Sequence, residues 1–284
     1  MNCSTNLVQK IEEVQQLFKA TTLFLEKPYR MSELYDFLEV SPKEFRAVGY
    51  ECASMQIGLN DLSKGIALDN WIDFYEGFQE KYPAHLESGL GWAFAKLGQS
   101  PNPFLPNFSR LSKWLIFDGV GYYSGLFNNR KTIKNKIIPS YISGQDLLRF
   151  DQGLGRQLWY IAKGDLDKLL VLLHTFDIQR QPDLWRGIGI ATAYLGGNQQ
   201  ETLHQLYHIA GEHSIQLRIG TAWAAVSRTA SETINLDIIE ACQILCKKLL
   251  EVVVNQTKIQ QELFEAGIGQ IDQDWLEPLK NIFG

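Results

Sequence analysis

The segment Phe150-Asp151-Gln152-Gly153-Leu154-Gly155-Arg156-Gln157-Leu158-Trp159 places two glycines, one residue apart, ahead of an apolar and aromatic run. Related Gly-x-Gly segments start at Gly89, Gly119 and Gly187, and a weaker copy with a single glycine lies at Gly220. The second glycines of the four pairs and Gly220 follow one another at intervals of 30, 34, 34 and 31 residues. A period of about 34 residues is typical of helix–turn–helix repeats. The pattern therefore predicts an all-α fold of repeated helices.

Helix boundaries between the glycine pairs agree with this prediction. Gly164-Asp165 is expected to end one helix and cap the next, and Gln181-Pro182-Asp183 to open another. Strand signals are scarce throughout the chain. Glycine is less favourable than alanine in a helix by about 1 kcal/mol, so recurring pairs need a reason, and close helix–helix approach is the plain one. We expect each pair to open a helix and the helices to pack as a solenoid or α/α bundle around a hydrophobic pocket.

The chain divides on this basis into an N-terminal helical segment (1–80), a repeat core (81–230) and a C-terminal helical cap (231–284), within one continuous domain. A further possible copy of the motif lies upstream, at Gly49-Tyr50-Glu51-Cys52. The prolines between Gln99 and Lys136 predict a rigid connection that interrupts the stack. Cys242 and Cys246 are expected to be buried core residues.

Composition excludes several classes of protein. Among the 284 residues 45% are hydrophobic and 12% are aromatic, so a packed core is expected and wholesale disorder is not. The net charge of −5 disfavours a general nucleic-acid binder. No apolar run approaches the ~18 residues of a transmembrane helix, and the first residues lack the pattern of a secretory signal. With few cysteines, the chain is expected in the cytoplasm.

Ionisable residues or tryptophan stand just before the glycine pairs: Glu87, Asp118, Asp151 and Trp185-Arg186. Stacked repeats would align them in a row, beside helices rich in aromatic residues. An apolar aromatic environment raises the pKa of a carboxyl group, which suits a general acid. Asp151 or Asp118 is the predicted acid. The predicted substrate contacts are Arg156, as an anion contact, together with Trp92, Tyr122, Trp159, Trp185, Arg186 and Glu87. The alternative is that Asp118 and Asp151 cap helices.

Two further constellations have competing interpretations. Glu201, His204 and His208 share a helix face and could ligate a metal, although a solvated polar face is favoured and no cofactor is predicted. The basic patch from Arg130 to Lys136 is either a solvated loop or a docking point for an acidic partner, such as a carrier protein, a synthase or a diphosphate group.

Several motifs together resemble one family. They are Ala53-Ser54-Met55, Leu59-Asn60-Asp61-Leu62, Gly89-Leu90-Gly91-Trp92-Ala93, Trp114 with Phe117-Asp118-Gly119, and above all Phe150–Trp159. Over residues 30–230 the chain resembles the domain of unknown function found in bacterial enediyne biosynthetic clusters and related specialised-metabolite loci. The resemblance implies biosynthesis of a polyene-derived or otherwise highly unsaturated natural product. It supplies no catalytic residues.

The sequence is therefore expected to encode an enzyme that cyclises or rearranges a long unsaturated substrate, a polyene or an isoprenoid, without a redox cofactor. The rival hypothesis is a non-catalytic helical-repeat scaffold that docks a synthase or carrier protein. A closed pocket lined by tryptophan and a carboxylate would favour the enzyme, and an open groove with exposed aromatic residues would favour the scaffold.

Overall fold

A computed structural model describes residues 5–65, 67–267, 279–280 and 282 of the chain. These residues form α-helices and a few short 3-10 and π-helical segments, joined by turns and loops, and contain no strand, which confirms the all-α prediction. The helices are α1 (Thr5–Leu25), α2 (Met31–Glu39), α3 (Arg46–Ser63), α4 (Asp69–Phe78), α5 (Pro83–Leu97), α6 (Arg110–Phe127), α7 (Gln145–Ala162), α8 (Leu166–Leu173), α9 (Gln181–Leu195), α10 (Gln200–Ala210), α11 (Ser214–Ala230), α12 (Leu236–Ala241) and α13 (Leu250–Glu265).

Six helices pack side by side in chain order and form the central row: α3, α5, α6, α7, α9 and α11. The first glycine of each pair faces the preceding helix and the second faces the following one. Gly153, for example, packs against the backbone of Asp118 in α6, and Gly155 packs against Leu184 in α9. The same alternation holds at Gly89 and Gly91, Gly119 and Gly121, and Gly187 and Gly189, while Gly220 faces back to Arg186.

The glycine pairs lie in the middle of their helices, so the expectation that they open helices is wrong. Two adjacent helices approach most closely where their axes cross, and only glycine leaves room there for backbone against backbone. The upstream glycine at 49 differs, because it faces Leu38 and Thr21 and not a neighbour in the central row. The contact from α3 to α5 is made instead through Glu51 and Ser54, against Gly89.

The central row is parallel and curved. In α3 and α5, for example, Glu51 contacts Gly89, and further along both helices Gly58 contacts Ala93, so the two helices run in the same direction. The row bends back on itself, because the ring of His85 in α5 lies 5.0 Å from that of Tyr194 in α9. This curvature gives the row a concave interior.

Helix α1 closes one side of this interior. Its buried residues recur at intervals of three and four, as the sequence pattern predicts: Leu7, Ile11, Val14 and Leu17. Its position is held by Lys10, which bonds to Glu44 and donates to Asp237 at 2.9 Å.

Other local predictions have mixed outcomes. Asp165 caps α8 by accepting a hydrogen bond from the amide of Lys168 at 2.9 Å, as predicted. Cys242 and Cys246 are buried, also as predicted. The expected non-helical connection from Gln99 to Lys136 is wrong in extent, because α6 (Arg110–Phe127) and a short π-helix (Arg130–Lys134) lie within it. Within the described ranges, none of the helices combines the length and the apolarity needed to cross a bilayer.

Candidate active site

A cavity of about 290 Å³, here called the main cavity, lies between α1 and the concave face of the central row. Its volume is at the lower end of the range for small-molecule sites. Aromatic and aliphatic side chains form most of its wall, and the remaining lining groups are ionisable or amide side chains. The lining residues are Ile11, Val14, Gln15, Phe18, Val48, Glu51, His85, Trp92, Tyr122, Leu126, Phe127, Arg156, Gln157, Tyr160, Lys163 and Tyr194.

The aromatic wall is built by contacts between rings. Trp92 is the centre of it and meets Phe18 at 5.4 Å and Tyr122 at 5.0 Å between ring centroids. Phe127 lies 6.2 Å from Trp92 and is 53% exposed, so the cavity reaches solvent on its side. The opposite end of the cavity, at Glu51, is buried. The main cavity therefore carries Glu51 and Arg156 at its buried end, whereas Lys163, also in its lining, is exposed.

A charged cluster forms the floor of the main cavity. The guanidinium of Arg156 lies 2.6 Å from a carboxylate oxygen of Asp118 and 3.8 Å from one of Glu51. The hydroxyl of Ser88 donates to Glu51 at 2.6 Å. Arg156 also stacks over the ring of Tyr122 at 4.1 Å, a cation–π contact. Two carboxyl groups thus share one guanidinium in a site largely shielded from water.

Hydrogen bonds continue from this cluster across the central row. Gln152 donates to Asp118 at 2.8 Å, and its own carbonyl accepts from Arg186 at 2.6 Å. Asp118, Gln152 and Arg186 each stand one position before the first glycine of a pair. The close approach that the glycines allow brings these three side chains into one line, which fixes the orientation of Asp118.

Burial shifts the protonation equilibria on this floor. Desolvation raises the pKa of Glu51, and the nearby guanidinium of Arg156 and the hydroxyl of Ser88 only partly oppose this. Burial also lowers the pKa of His85 to about 3, with Arg156 and Arg228 adding to the shift, so the imidazole is neutral near pH 7. Burial alone would lower the pKa of Arg156, but Asp118 and Glu51 raise it above its ordinary value.

A smaller cavity of about 50 Å³, here called the inner cavity, lies deeper among the helices of the central row. Its wall includes Asp118, Gln152 and Trp223. His85, Arg156 and Tyr194 line both cavities and separate them. The two cavities are therefore neighbouring compartments with a shared boundary.

Of the predicted site residues, the structure brings four together. Trp92, Tyr122 and Arg156 line the main cavity, and Asp118 lines the inner one while bonded to Arg156. Asp118 lies within α6, so the alternative in which it caps a helix is wrong.

The other predicted residues lie elsewhere, because the expected row divides between two helix faces. Successive helical residues point about 100° apart, so a residue two positions before the glycine cannot share the direction of one that is a single position before it. Glu87 and Asp151 occupy the former position. Glu87 accepts hydrogen bonds from Ser112 and Tyr75.

Asp151 is likewise outside the lining of both cavities. It forms two hydrogen bonds with Arg180, at 2.8 and 2.5 Å. It lies within α7, so its interpretation as a helix cap is also wrong. Trp159 and Trp185 are buried but belong to neither cavity wall, and Arg186 reaches the site only through Gln152.

The remaining candidates lie on the surface. His204 and His208 are exposed on α10. Among the described residues, no group of three or more His, Cys, Asp or Glu side chains is arranged to hold a metal ion. In the basic patch Arg130, Lys131 and Lys134 are exposed, whereas Lys136 folds back over the ring of Phe176 at 4.1 Å.

Most of the other lining residues were not predicted from the sequence, and the polar ones among them include Glu51, His85 and Tyr194. Glu51 stands two residues after Gly49, in the weak upstream copy of the motif, so that copy was the available signal. His85 and Tyr194 lie near opposite ends of their helices and have no motif in common. Only the curvature of the central row brings them together.

Comparison with known proteins gives one match. The profile of a family described as "Protein of unknown function (DUF1702)" matches residues 3–269. The chain belongs to the DUF1702 family. No curated protein and no solved structure matches the chain. Membership agrees with the resemblance of the Phe150–Trp159 motif to a family of unknown function, and it extends over nearly the whole chain.

Proposed function

We propose that this DUF1702 protein is an enzyme that holds a hydrophobic unsaturated small molecule in the main cavity and starts its cyclisation or rearrangement by protonation. The observation that carries the proposal is the position of Glu51. It is a buried carboxyl group with a raised pKa at the floor of an aromatic-lined cavity. A carboxyl group whose pKa is raised by burial is suited to general acid catalysis.

The neighbouring residues fit each step of such a reaction. Protonated Glu51 would transfer its proton to a carbon of a double bond, and the π electrons of that bond would form the new C–H bond. The resulting carbocation would lie beside the rings of Trp92 and Phe18, whose faces attract cations. An internal double bond would attack the cation, and the Glu51 carboxylate would accept a proton from the product, which restores the acid.

Asp118 and Asp151 are weaker candidates for the acid. Neither lines the main cavity, where the ligand would lie, and each is bonded directly to a guanidinium. In this proposal Asp118 holds Arg156 in place, and Arg156 in turn positions Glu51. Asp151 has a structural role with Arg180.

The experiment is mass spectrometry of small molecules released from the purified protein, comparing wild type with Glu51→Gln. Glu87→Gln is the matched control, since Glu87 is equally buried but lies outside both cavities. We expect Glu51→Gln to retain a hydrophobic polyene or terpenoid of a different structure from the species in wild type. The same retained species in both would contradict the assignment of Glu51 as the acid.

The biosynthetic setting is part of the proposal. The resemblance of the Phe150–Trp159 motif to enediyne-associated proteins supports a polyene in specialised metabolism, and the apolar wall is equally suited to an isoprenoid. A second candidate function is docking of a carrier protein or synthase, favoured by the exposed basic side chains Arg130, Lys131 and Lys134. Charge reversal at these three positions would weaken binding of an acidic carrier protein if that candidate is right.

A further inference from the structure

Polar atoms without hydrogen-bond partners cluster where the main and inner cavities meet. Among the described residues, none hydrogen-bonds to Nδ1 of His85 or to the hydroxyl of Tyr194, although both atoms are buried. The His85 side chain is only 6% exposed and lines both cavities. An unpaired buried polar group costs about 1–3 kcal/mol, so a cavity-lining pair of such groups indicates a ligand that bonds to them.

The charges around this boundary select the kind of ligand group. Nη1 of Arg156 donates to Asp118 at 2.6 Å, so a carboxylate balances the charge of this guanidinium. That of Arg228 stacks over Tyr194 at 4.2 Å and donates to the backbone carbonyl oxygens of Tyr194 and Glu44. An anion at the boundary would therefore leave water for guanidinium groups that already have partners, one of them beside the carboxylate of Asp118.

A cation is disfavoured for the complementary reason. A cation would lose its hydration close to the guanidinium groups of Arg156 and Arg228, which repel it. The neutral imidazole of His85 supplies no negative charge to compensate. An uncharged hydroxyl or carbonyl loses much less on leaving water and can bond to both unpaired atoms.

We propose that the boundary between the two cavities is a subsite for an uncharged oxygen group, a hydroxyl or carbonyl, on an otherwise apolar ligand. Tyr194 donates a hydrogen bond to this oxygen, and His85 bonds to it through Nδ1. The inference rests on the proposed function, because the same cavity holds the ligand. It narrows the substrate class from hydrophobic unsaturated molecules in general to those that carry a hydroxyl or carbonyl group.

The test uses saturated probes that share one chain and differ in the head group: decanol, methyl octyl ketone, decane, decanoate and decylamine. Binding is measured by titration calorimetry at neutral pH. We expect decanol and the ketone to bind about tenfold more tightly than decane, as one good hydrogen bond allows, and both charged probes to bind more weakly than decanol. Equal binding of decanol and decane, or tighter binding of a charged probe, would overturn the proposal.

Two variants assign the subsite to its residues. Tyr194→Phe removes only the unpaired hydroxyl, and His85→Phe keeps a ring against Tyr194. Each is expected to lower the affinity for decanol about tenfold and to leave that for decane unchanged. If His85→Phe does not fold, Tyr194→Phe alone decides, because loss of an unpaired hydroxyl removes no bond within the protein.

The same measurement separates this inference from the proposed reaction. Saturated probes have no double bond, so they cannot be protonated by Glu51. A preference for decanol in Glu51→Gln would uphold the subsite even if Glu51 proved not to be the acid. Tyr194→Phe could also lose the preference for decanol over decane and still form the same products from the natural ligand. That result would support the proposed reaction and show that the subsite has no part in it.

Discussion

Gly153 packs directly on the backbone of Asp118, so that α6 and α7 touch without a side chain between them. A Cβ at Gly153 would overlap the carbonyl oxygen of Asp118 and lie 2.6 Å from the backbone nitrogen of Tyr122. Both neighbours are main-chain atoms, which cannot turn away as a flexible side chain can. The close approach also determines where the carboxylate of Asp118 meets Arg156, so helix packing and the floor of the cavity depend on the same contact.

Substitution of Gly153 by alanine is therefore expected to destabilise the fold strongly. We expect Gly153→Ala to lower the free energy of unfolding by about 3 kcal/mol, the upper end of the usual cost of overpacking, because α6 and α7 must separate to admit the methyl group. Urea denaturation measures the change. The control is Gly77→Ala on α4, where a Cβ would meet nothing within 4 Å and alanine is expected to add up to about 1 kcal/mol. A similar small effect at both glycines would contradict the packing argument.

The ion pair of Asp118 and Arg156 gives a second prediction. Asp118→Asn should lower the free energy of unfolding by about 3–5 kcal/mol, since it leaves the buried guanidinium of Arg156 with weaker compensation. Adding Arg156→Gln should cost less than the sum of the two single changes. The exposed pair of Arg30 and Glu33 is the comparison, and Arg30→Gln should have little effect. Strict additivity at Asp118 and Arg156 would show that the two side chains are not coupled.

Much of the fold follows from sequence periodicity. The spacing of Leu7, Ile11, Val14 and Leu17 identifies the buried face of α1, and the glycine pairs identify the helices of the central row. These features are local, or repeat in register, so they can be read without three-dimensional information. The position of a glycine pair within its helix is different. Periodicity shows that helices approach closely but does not show at which turn they cross.

Fewer residues of the candidate site could be predicted from the sequence, for a related reason. Four residues of the site stand near the glycines, so the motif identifies them: Asp118, Trp92, Tyr122 and Arg156. Asp151 and Glu87 stand equally near but point to a different face of their helices. They lie two positions before the first glycine, whereas Asp118 lies one position before it, and the repeated motif does not separate these two positions. His85 and Tyr194 meet only because the central row curves, and no local pattern encodes that curvature.

The protonation of Glu87 predicts a pH-dependent stability. Burial raises the pKa of Glu87 to about 7 from an ordinary value of 4.5, with hydrogen bonds from Ser112 and Tyr75 opposing the shift. A raised pKa in the folded state means that its contribution to stability is complete below about pH 4.5 and is lost as the pH rises through 7. Glu87→Gln has no proton to lose. Its stability relative to wild type should therefore increase from pH 4.5 to 7 and stay constant above.

Thermal denaturation between pH 4.5 and 8.5 measures this difference. Glu12→Gln, on the exposed face of α1, is the control and should follow the wild-type profile. A difference between Glu87→Gln and wild type that is the same at every pH would show that Glu87 does not change protonation in this range.

Filling the main cavity should weaken ligand binding without unfolding the protein. Val48 in α3 lines the main cavity, so Val48→Phe is expected to place its ring in the space that the ligand would occupy. We expect its affinity for decanol to fall by at least about tenfold, which corresponds to about 1.4 kcal/mol. The matched control is Val171→Phe on α8, where the valine is 68% exposed and lies outside both cavity walls. Calorimetric titration with decanol measures the affinity of both variants, and their melting temperatures show whether they are folded. Equal affinities of Val48→Phe and Val171→Phe would show that decanol binds outside the main cavity.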